Sequence, residues 1–322
     1  MISTRRMIDI RRSKCQGMPV KIKLLSLLAM FAALSAGALE TANPQTNCPA
    51  CDALGWQLAV HAYTFRLFPI SEAIQKTAGV GLKYMSLSGS VNLDGKKSVK
   101  TTDLSDEQLQ AILKQTDAAG IKLVNIGVVQ LPADEAQSRK VFEFAKKAGI
   151  DTLVAEPEPA ALDTVEKLCK EYNIKVAIHD HPRPSHYWNP ETVLAAVKGR
   201  TPLMGACADV GHWVRSGLDP VECLKKLDGR IICLHFKDLV PDEPNSGTSK
   251  LPTPPKADAA KKMHDVPWGT GQSNAKGMMA ELKRQHFHGA FCVEYEYHWS
   301  NSVPEIAECV KFFNATATEL VK

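Results

Sequence analysis

From Trp56 onward the sequence predicts an α/β chain folded as a single (β/α)8 barrel, the TIM-barrel architecture. Three observations predict it. Short β-type runs alternate eight times with longer segments of helical period. The alternation fills about 265 residues, enough for eight βα units and one sizeable core. Ligand-type side chains end five consecutive strand candidates, and such ends converge only when the sheet closes on itself. An open doubly wound sheet fits less well, because it would leave edge strands and need both faces covered.

The strand candidates are Gln57–Ala62, Leu82–Leu87, Lys122–Ile126, Thr152–Ala155, Lys175–Ile178, Met204–Ala208, Ile231–Leu234 and Ala290–Val293. Helical patterns cover Ser71–Thr77, Ser105–Ala119, Ala133–Ala148, Ala161–Tyr172, Asn189–Val197, Asp219–Leu227 and Ala275–Gln285, with Val303–Thr318 closing the chain. Ser105-Asp106-Glu107-Gln108 reads as a capping box. Gly120, Gly149 and Gly289 fall just before strands, where a C-cap glycine feeds the next βα unit. Leu239–Thr270 breaks the rhythm: it is long, polar and punctuated by Pro241, Pro244, Pro252, Pro254 and Pro255. Following the seventh strand, it is expected to lie over the C-terminal mouth of the barrel as a flap or excursion.

Residues 1–38 differ in kind. Seven basic residues flank or precede an apolar run from Leu24 to Leu34, followed by Ala36-Gly37-Ala38, the order of a cleaved export signal. The run is too short for a membrane span, which needs roughly 20 residues. Met18 is an alternative start. The leader holds one acid, Asp9, so removing its net +6 turns the formal +4 of the chain into −2. The expected location is periplasmic or secreted, with no membrane association after cleavage, and nucleic acid loses its support as a partner. Residues 39–55 read as a linker preceding any regular element, with Cys48-Pro-Ala-Cys51 suited to a local disulfide. Cys169, Cys207, Cys223, Cys233, Cys292 and Cys309 lie in apolar or helical patterns and read as small buried hydrophobes.

The chemistry sits where strands end: Val154-Ala155-Glu156, Ile178-His179-Asp180-His181, Ala208-Asp209, Leu234-His235 and Val293-Glu294. Side chains alternate along a strand, so Ala177, His179 and His181 share a face, as do Cys233, His235 and Lys237, and Cys292, Glu294 and Glu296. Small residues below polar ones describe a barrel interior opening into a site. Two imidazoles with three carboxylates, Glu156, His179, Asp209, His235 and Glu294, suit a divalent ion, with manganese, cobalt or zinc preferred over magnesium. Without a cation, clustered carboxylates repel one another.

Ala208-Asp209-Val210-Gly211-His212-Trp213, Leu234-His235-Phe236-Lys237-Asp238 and Val293-Glu294-Tyr295-Glu296 resemble the final strand-end motifs of the xylose isomerase-like TIM-barrel superfamily, the sugar phosphate isomerases/epimerases. The resemblance spans nearly all of residues 56–313. That family includes ketose 3-epimerases, hydroxypyruvate isomerase and inosose dehydratase, with endonuclease IV a distant relative. The resemblance implies that Asp209, His235 and Glu294 ligate metal, that Glu294 also transfers protons, and that His212 and Lys237 touch substrate. The sequence departs from the family's epimerases at the fifth strand, where His179 stands in place of a glutamate ligand and second acid/base. Glu156, one strand earlier, is the candidate replacement.

Glu156, Glu294 and Lys237 are therefore the catalytic candidates. For substrate contact, His181, Arg183, His186, Tyr187 and Trp188 with Trp213 are expected to form a sugar-stacking wall. His61 and Tyr63 end the first strand beside the same mouth, and Trp268 sits where the long loop returns. A phosphate nest at Pro267–Gly271 has weak support, since no P-loop spacing is present. His264, His286, His288 and His298 read as surface residues. The leading expectation is an isomerase or epimerase on an unphosphorylated sugar. The alternatives are a lyase or dehydratase on 3-keto sugars, glycosides or inososes, a non-catalytic sugar-binding barrel, and, disfavoured by export and charge, an endonuclease IV-like hydrolase. An oligomer is left open.

Overall fold

The computed structural model describes residues 48–242 and 262–322. The expected export signal and the middle of the Leu239–Thr270 excursion lie outside the described residues.

Eight parallel strands form a closed barrel: β1 (Trp56–His61), β2 (Tyr84–Ser88), β3 (Lys122–Val129), β4 (Thr152–Ala155), β5 (Lys175–His179), β6 (Met204–Asp209), β7 (Ile231–Phe236) and β8 (Gly289–Val293). Each pairs with its neighbours in sequence, and β1 closes on β8. Closure explains the strand composition. Residues facing outward (Val60, Leu87, Ile126, Leu153, Val176, Leu234, Phe291) pack under the helices in the main core. Residues facing inward must fit a narrow interior, and Ala59, Val154, Ala177, Cys207, Cys233, Ala290 and Cys292 fill it as a separate small layer. Ser86 donates to Asn125 Oδ1 in this interior, and Asn125 Nδ2 reaches Cys292 Sγ at 3.7 Å.

Register carries this alternation up to the mouth. His179 lies opposite Cys207, Asp209 opposite His235, and His235 opposite Cys292. His179, Asp209, His235 and Glu294 are thus each two residues above a member of the small inner layer, on the same face.

The capping box is present: Ser105 Oγ accepts the Gln108 amide at 3.2 Å and Gln108 Oε1 accepts the Ser105 amide at 2.9 Å. Gly120 and Gly149 adopt the left-handed conformation expected of them, both at φ +67. Gly289 does not. It opens β8, and His286 (φ +52) turns the chain after the helix Ala275–Arg284. The expected 39–55 linker is also corrected, because Pro49–Leu54 is a short helix packed against the closing helix Val303–Leu320. Cys48 and Cys51 are disulfide-bonded at its start.

Elements near the mouth without a sequence counterpart include the antiparallel pair Ser90–Asn92 and Ser98–Lys100 after β2. A short helix, Val210–Arg215, follows β6 directly, and Leu239–Pro241 pairs antiparallel with Met263–Asp265 at the base of the excursion. Among the described residues no helix is long and apolar enough to cross a membrane.

Candidate metal centre

Four strand ends meet in the barrel. One ligand atom from each of His179, Asp209, His235 and Glu294 lies within 4.8 Å of the others, and all four residues are buried. The local chemistry frees the right atoms. Asp209 caps the helix Val210–Arg215, with Oδ1 accepting the His212 amide at 3.0 Å, so that Oδ2 alone faces the cluster. His179 Nε2 and His235 Nε2 are buried without a hydrogen-bond partner, while Asp209 Oδ2 faces the Lys237 ammonium and His235 Nδ1 lies 3.1 Å from Glu294 Oε2. Buried polar atoms are normally paired, and a convergent set that is not fits a bound cation. Two imidazoles and two carboxylates would hold a divalent metal of the borderline kind.

Electrostatics agree. Lys237 Nζ lies 3.0 Å from Asp209 Oδ2 and 2.8 Å from both Glu294 Oε2 and Glu296 Oε2, fully buried. Arg215 reaches Glu296 at 3.3 Å and Asp265 at 3.4 Å. Two fixed cations thus face four carboxylates, which leaves a surplus of acidic groups that a bound cation would offset. Left to its own groups, the protein answers that surplus with protons. Burial pulls His179 down, but Asp209 and Glu156 overcome it and raise its pKa to about 10. Burial raises Asp265 to about 7 against Lys237 and Arg215. Burial also works against the charged forms of Asp209 and Glu294, yet Lys237 and the imidazoles hold both well below the usual carboxylate range. Burial lowers His235 to about 4, leaving it neutral as a ligand must be.

A cleft of about 360 Å³ opens above this cluster, lined by His61, Tyr63, His179, His181, Glu294 and Glu296 and by residues 88–90 and 127–128. His61 Nε2 donates to the Gly127 carbonyl at 3.0 Å, which aims Nδ1 at Glu294 Oε1, 3.1 Å away. A carbonyl only accepts, so the ring orientation is fixed.

Several expectations are corrected here. Glu156 is not in the four-residue group but in a second set that could hold a metal, with His179 and His181: Oε1 lies against His179 Nδ1 at 3.0 Å and against His181 Nδ1, and Oε2 accepts from Ser185 Oγ at 3.2 Å. Lys237, expected at the substrate, does not line the cleft: its ammonium is enclosed by Asp209, Glu294 and Glu296. His212 also faces inward. Burial holds its pKa well below the ordinary value, Arg215 Nη1 donates to Nδ1 at 3.2 Å, and the remaining Nε2–H faces Asp209 Oδ2 at 3.4 Å.

The expected stacking wall is absent. Trp213 is fully buried, Tyr187 is buried with its hydroxyl donating to Pro157 O, and Trp188 lies under Arg183 at 3.7 Å. Trp268 packs against Phe236 and Phe313 in the core. The loop that carries it offers no phosphate nest, because the amides of Gly269, Gly271 and Ser273 already donate to Asp238 at 2.8–2.9 Å. The aromatic pair at the mouth is instead Tyr63 with Trp299, 5.9 Å apart and capped by Arg66. Glu296, Arg215 and Asp265 were missed as members of the network. Only Glu296 carried a sequence signal, the period-two spacing from Glu294.

The chain is a closed parallel barrel with a buried His–Asp–His–Glu set at its strand ends, a set that could hold a metal ion. The chain belongs to the xylose isomerase-like TIM barrel family, whose model matches residues 51–316. A solved structure of an uncharacterized protein from Parabacteroides distasonis is 33% identical, with a TM-score of 0.61, covering 80% of this chain and 98% of that one. A D-tagatose 3-epimerase-like protein (16% identity, TM-score 0.60, 82% and 98% covered) shares the fold. So does a probable 3-DHS dehydratase from Bacillus anthracis (15% identity, TM-score 0.58, 80% and 98% covered). None of the curated proteins matches this chain.

Proposed function

We propose that this protein is a metal-dependent isomerase or epimerase that removes a proton next to the carbonyl of an unphosphorylated sugar, in the periplasm or outside the cell. The observation that carries the reading is Glu294. It is at once a member of the ligand set and a carboxylate lining the cleft, so a substrate bound there meets an ionised base. A divalent ion, with manganese, cobalt or zinc preferred for the two imidazoles, would polarise the carbonyl and so acidify the adjacent C–H. Glu294 takes the proton, its Oε1 lying 3.1 Å from His61 Nδ1 at the edge of the cleft. Lys237 keeps Glu294 and Asp209 anionic from behind. Among the described residues no lysine or arginine lines the cleft, which favours an uncharged substrate over a sugar phosphate.

A lyase or dehydratase is the second reading, and one observation favours it. The cleft also carries the exposed imidazole of His181, outside the four-residue ligand set, a group of the kind that protonates a departing oxygen. A 3-DHS dehydratase among the structural neighbours is consistent with that outcome.

Incubating the metal-loaded protein with keto-sugars in deuterium oxide tests both. Isomerisation or epimerisation should place solvent deuterium at the abstracted carbon of the product, whereas a lyase should release an unsaturated or dehydrated product. Glu294→Gln should abolish either. Absence of exchange and turnover on every sugar tried would refute both and favour a binding barrel.

A further inference from the structure

His179 poses a problem that a glutamate in its place would not. A carboxylate can ligate through either oxygen, whereas a neutral imidazole carries one proton and ligates only through the nitrogen that lacks it. For His179 to join Asp209, His235 and Glu294, the lone pair must be on Nε2, which faces Asp209 Oδ2 at 3.6 Å. The proton must then sit on Nδ1, and Nδ1 meets Glu156 Oε1 at 3.0 Å.

Glu156 is well placed to hold it. Its position two residues beyond the inward-facing Val154 points it into the barrel mouth. Ser185 donates to its other oxygen at 3.2 Å, His181 flanks it, and Tyr187 anchors the next residue through the Pro157 carbonyl. All three partners come from the loop after β5, the strand that ends in His179. The loop therefore orients the carboxylate that orients its own strand's ligand.

We propose that Glu156 is a positioning residue: by accepting the Nδ1 proton of His179 it fixes the tautomer and ring orientation that present Nε2 to the metal. The glutamate and the histidine work as a pair, and the departure at the fifth strand is compensated one strand earlier. This rests on the metal-binding part of the proposed function and is independent of the reaction.

The test compares wild type with Glu156→Gln and the apolar Glu156→Leu, using zinc and no substrate. Competition against a chromophoric chelator should show one zinc per chain in wild type and Glu156→Gln, with affinity about 10–100-fold weaker in the variant. In zinc-loaded protein labelled at histidine nitrogens, long-range proton–nitrogen spectra should show His179 coordinated through Nε2 with Nδ1 protonated, and Glu156→Gln should lose that single pattern. Glu156→Leu should weaken zinc at least as much; if it does not fold, Glu156→Gln alone decides.

Unchanged zinc affinity in Glu156→Gln overturns the assignment, as does coordination of His179 through Nδ1, or no zinc uptake by wild type. Two ions in wild type falling to one in Glu156→Gln would also overturn it, making Glu156 a ligand in a second site with His181. Zinc uptake that depends on Glu156, without turnover of any sugar, would refute the proposed function and leave this assignment standing.

Discussion

Lys237 shows what a single side chain does in this site. Its ammonium is surrounded by Asp209, Glu294 and Glu296 at 2.8–3.0 Å and has no exposure. Breaking a buried charge cluster by removing one partner costs about 3–5 kcal/mol, because the others stay desolvated. Lys237→Met in chelator-treated protein should lose that much by denaturant unfolding, and added metal should restore more stability to the variant than it adds to wild type. An unchanged midpoint would contradict the clasp. Asp265 gives the pH counterpart. Its folded pKa of about 7 lies above the ordinary 3.8, so the folded state holds a proton that the unfolded chain releases between those values. Its contribution is fully present below about pH 4 and disappears as pH rises through 7, a change of up to roughly 4 kcal/mol. Asp265→Asn should therefore gain stability relative to wild type as pH rises from 4 to 8, and parallel stability profiles would argue against it.

At the scale of elements, Asp209 divides its two oxygens between two tasks. One caps the helix Val210–Arg215 and the other faces the ligand set. Asparagine is an equally good N-cap but a poor metal ligand. Asp209→Asn should keep native far-ultraviolet circular dichroism while losing metal binding in equilibrium dialysis. Retained binding would remove Asp209 from the centre. The same helix must sit close to β7, because a Cβ on Gly211 would lie 2.8 Å from Lys237 Cδ. The glycine in Asp209-Val210-Gly211-His212 thus serves packing around the lysine, while the histidine serves the aspartate.

For the whole molecule, a ligand that binds only the folded state stabilises it by mass action, about 2.7 kcal/mol at a hundredfold excess over its dissociation constant. Because the four candidate ligands come from four strands, a metal held by them should stabilise the barrel as one unit. Adding manganese, cobalt or zinc to chelator-treated protein should raise a single thermal transition in a concentration-dependent way. A transition that ignores all three would contradict the centre.

Eight alternations, the inward small residues and the convergence of His179, Asp209, His235 and Glu294 were legible in the sequence because each depends on local period: two for strands, 3.6 for helices, with polar residues where a strand leaves the barrel. Strand ends of a closed parallel barrel meet by topology alone, so His179, Asp209, His235 and Glu294 needed no contact information to be grouped. The tertiary structure decided everything that depends on direction across strands. It removed Trp213 and Trp268 to the core, because an aromatic ring near a mouth faces whichever side buries more of its area. It enclosed Lys237 among carboxylates contributed by β6 and by the chain at the end of β8. And it set Glu156 behind His179 rather than beside it, a distinction of one nitrogen that spacing along a chain does not encode.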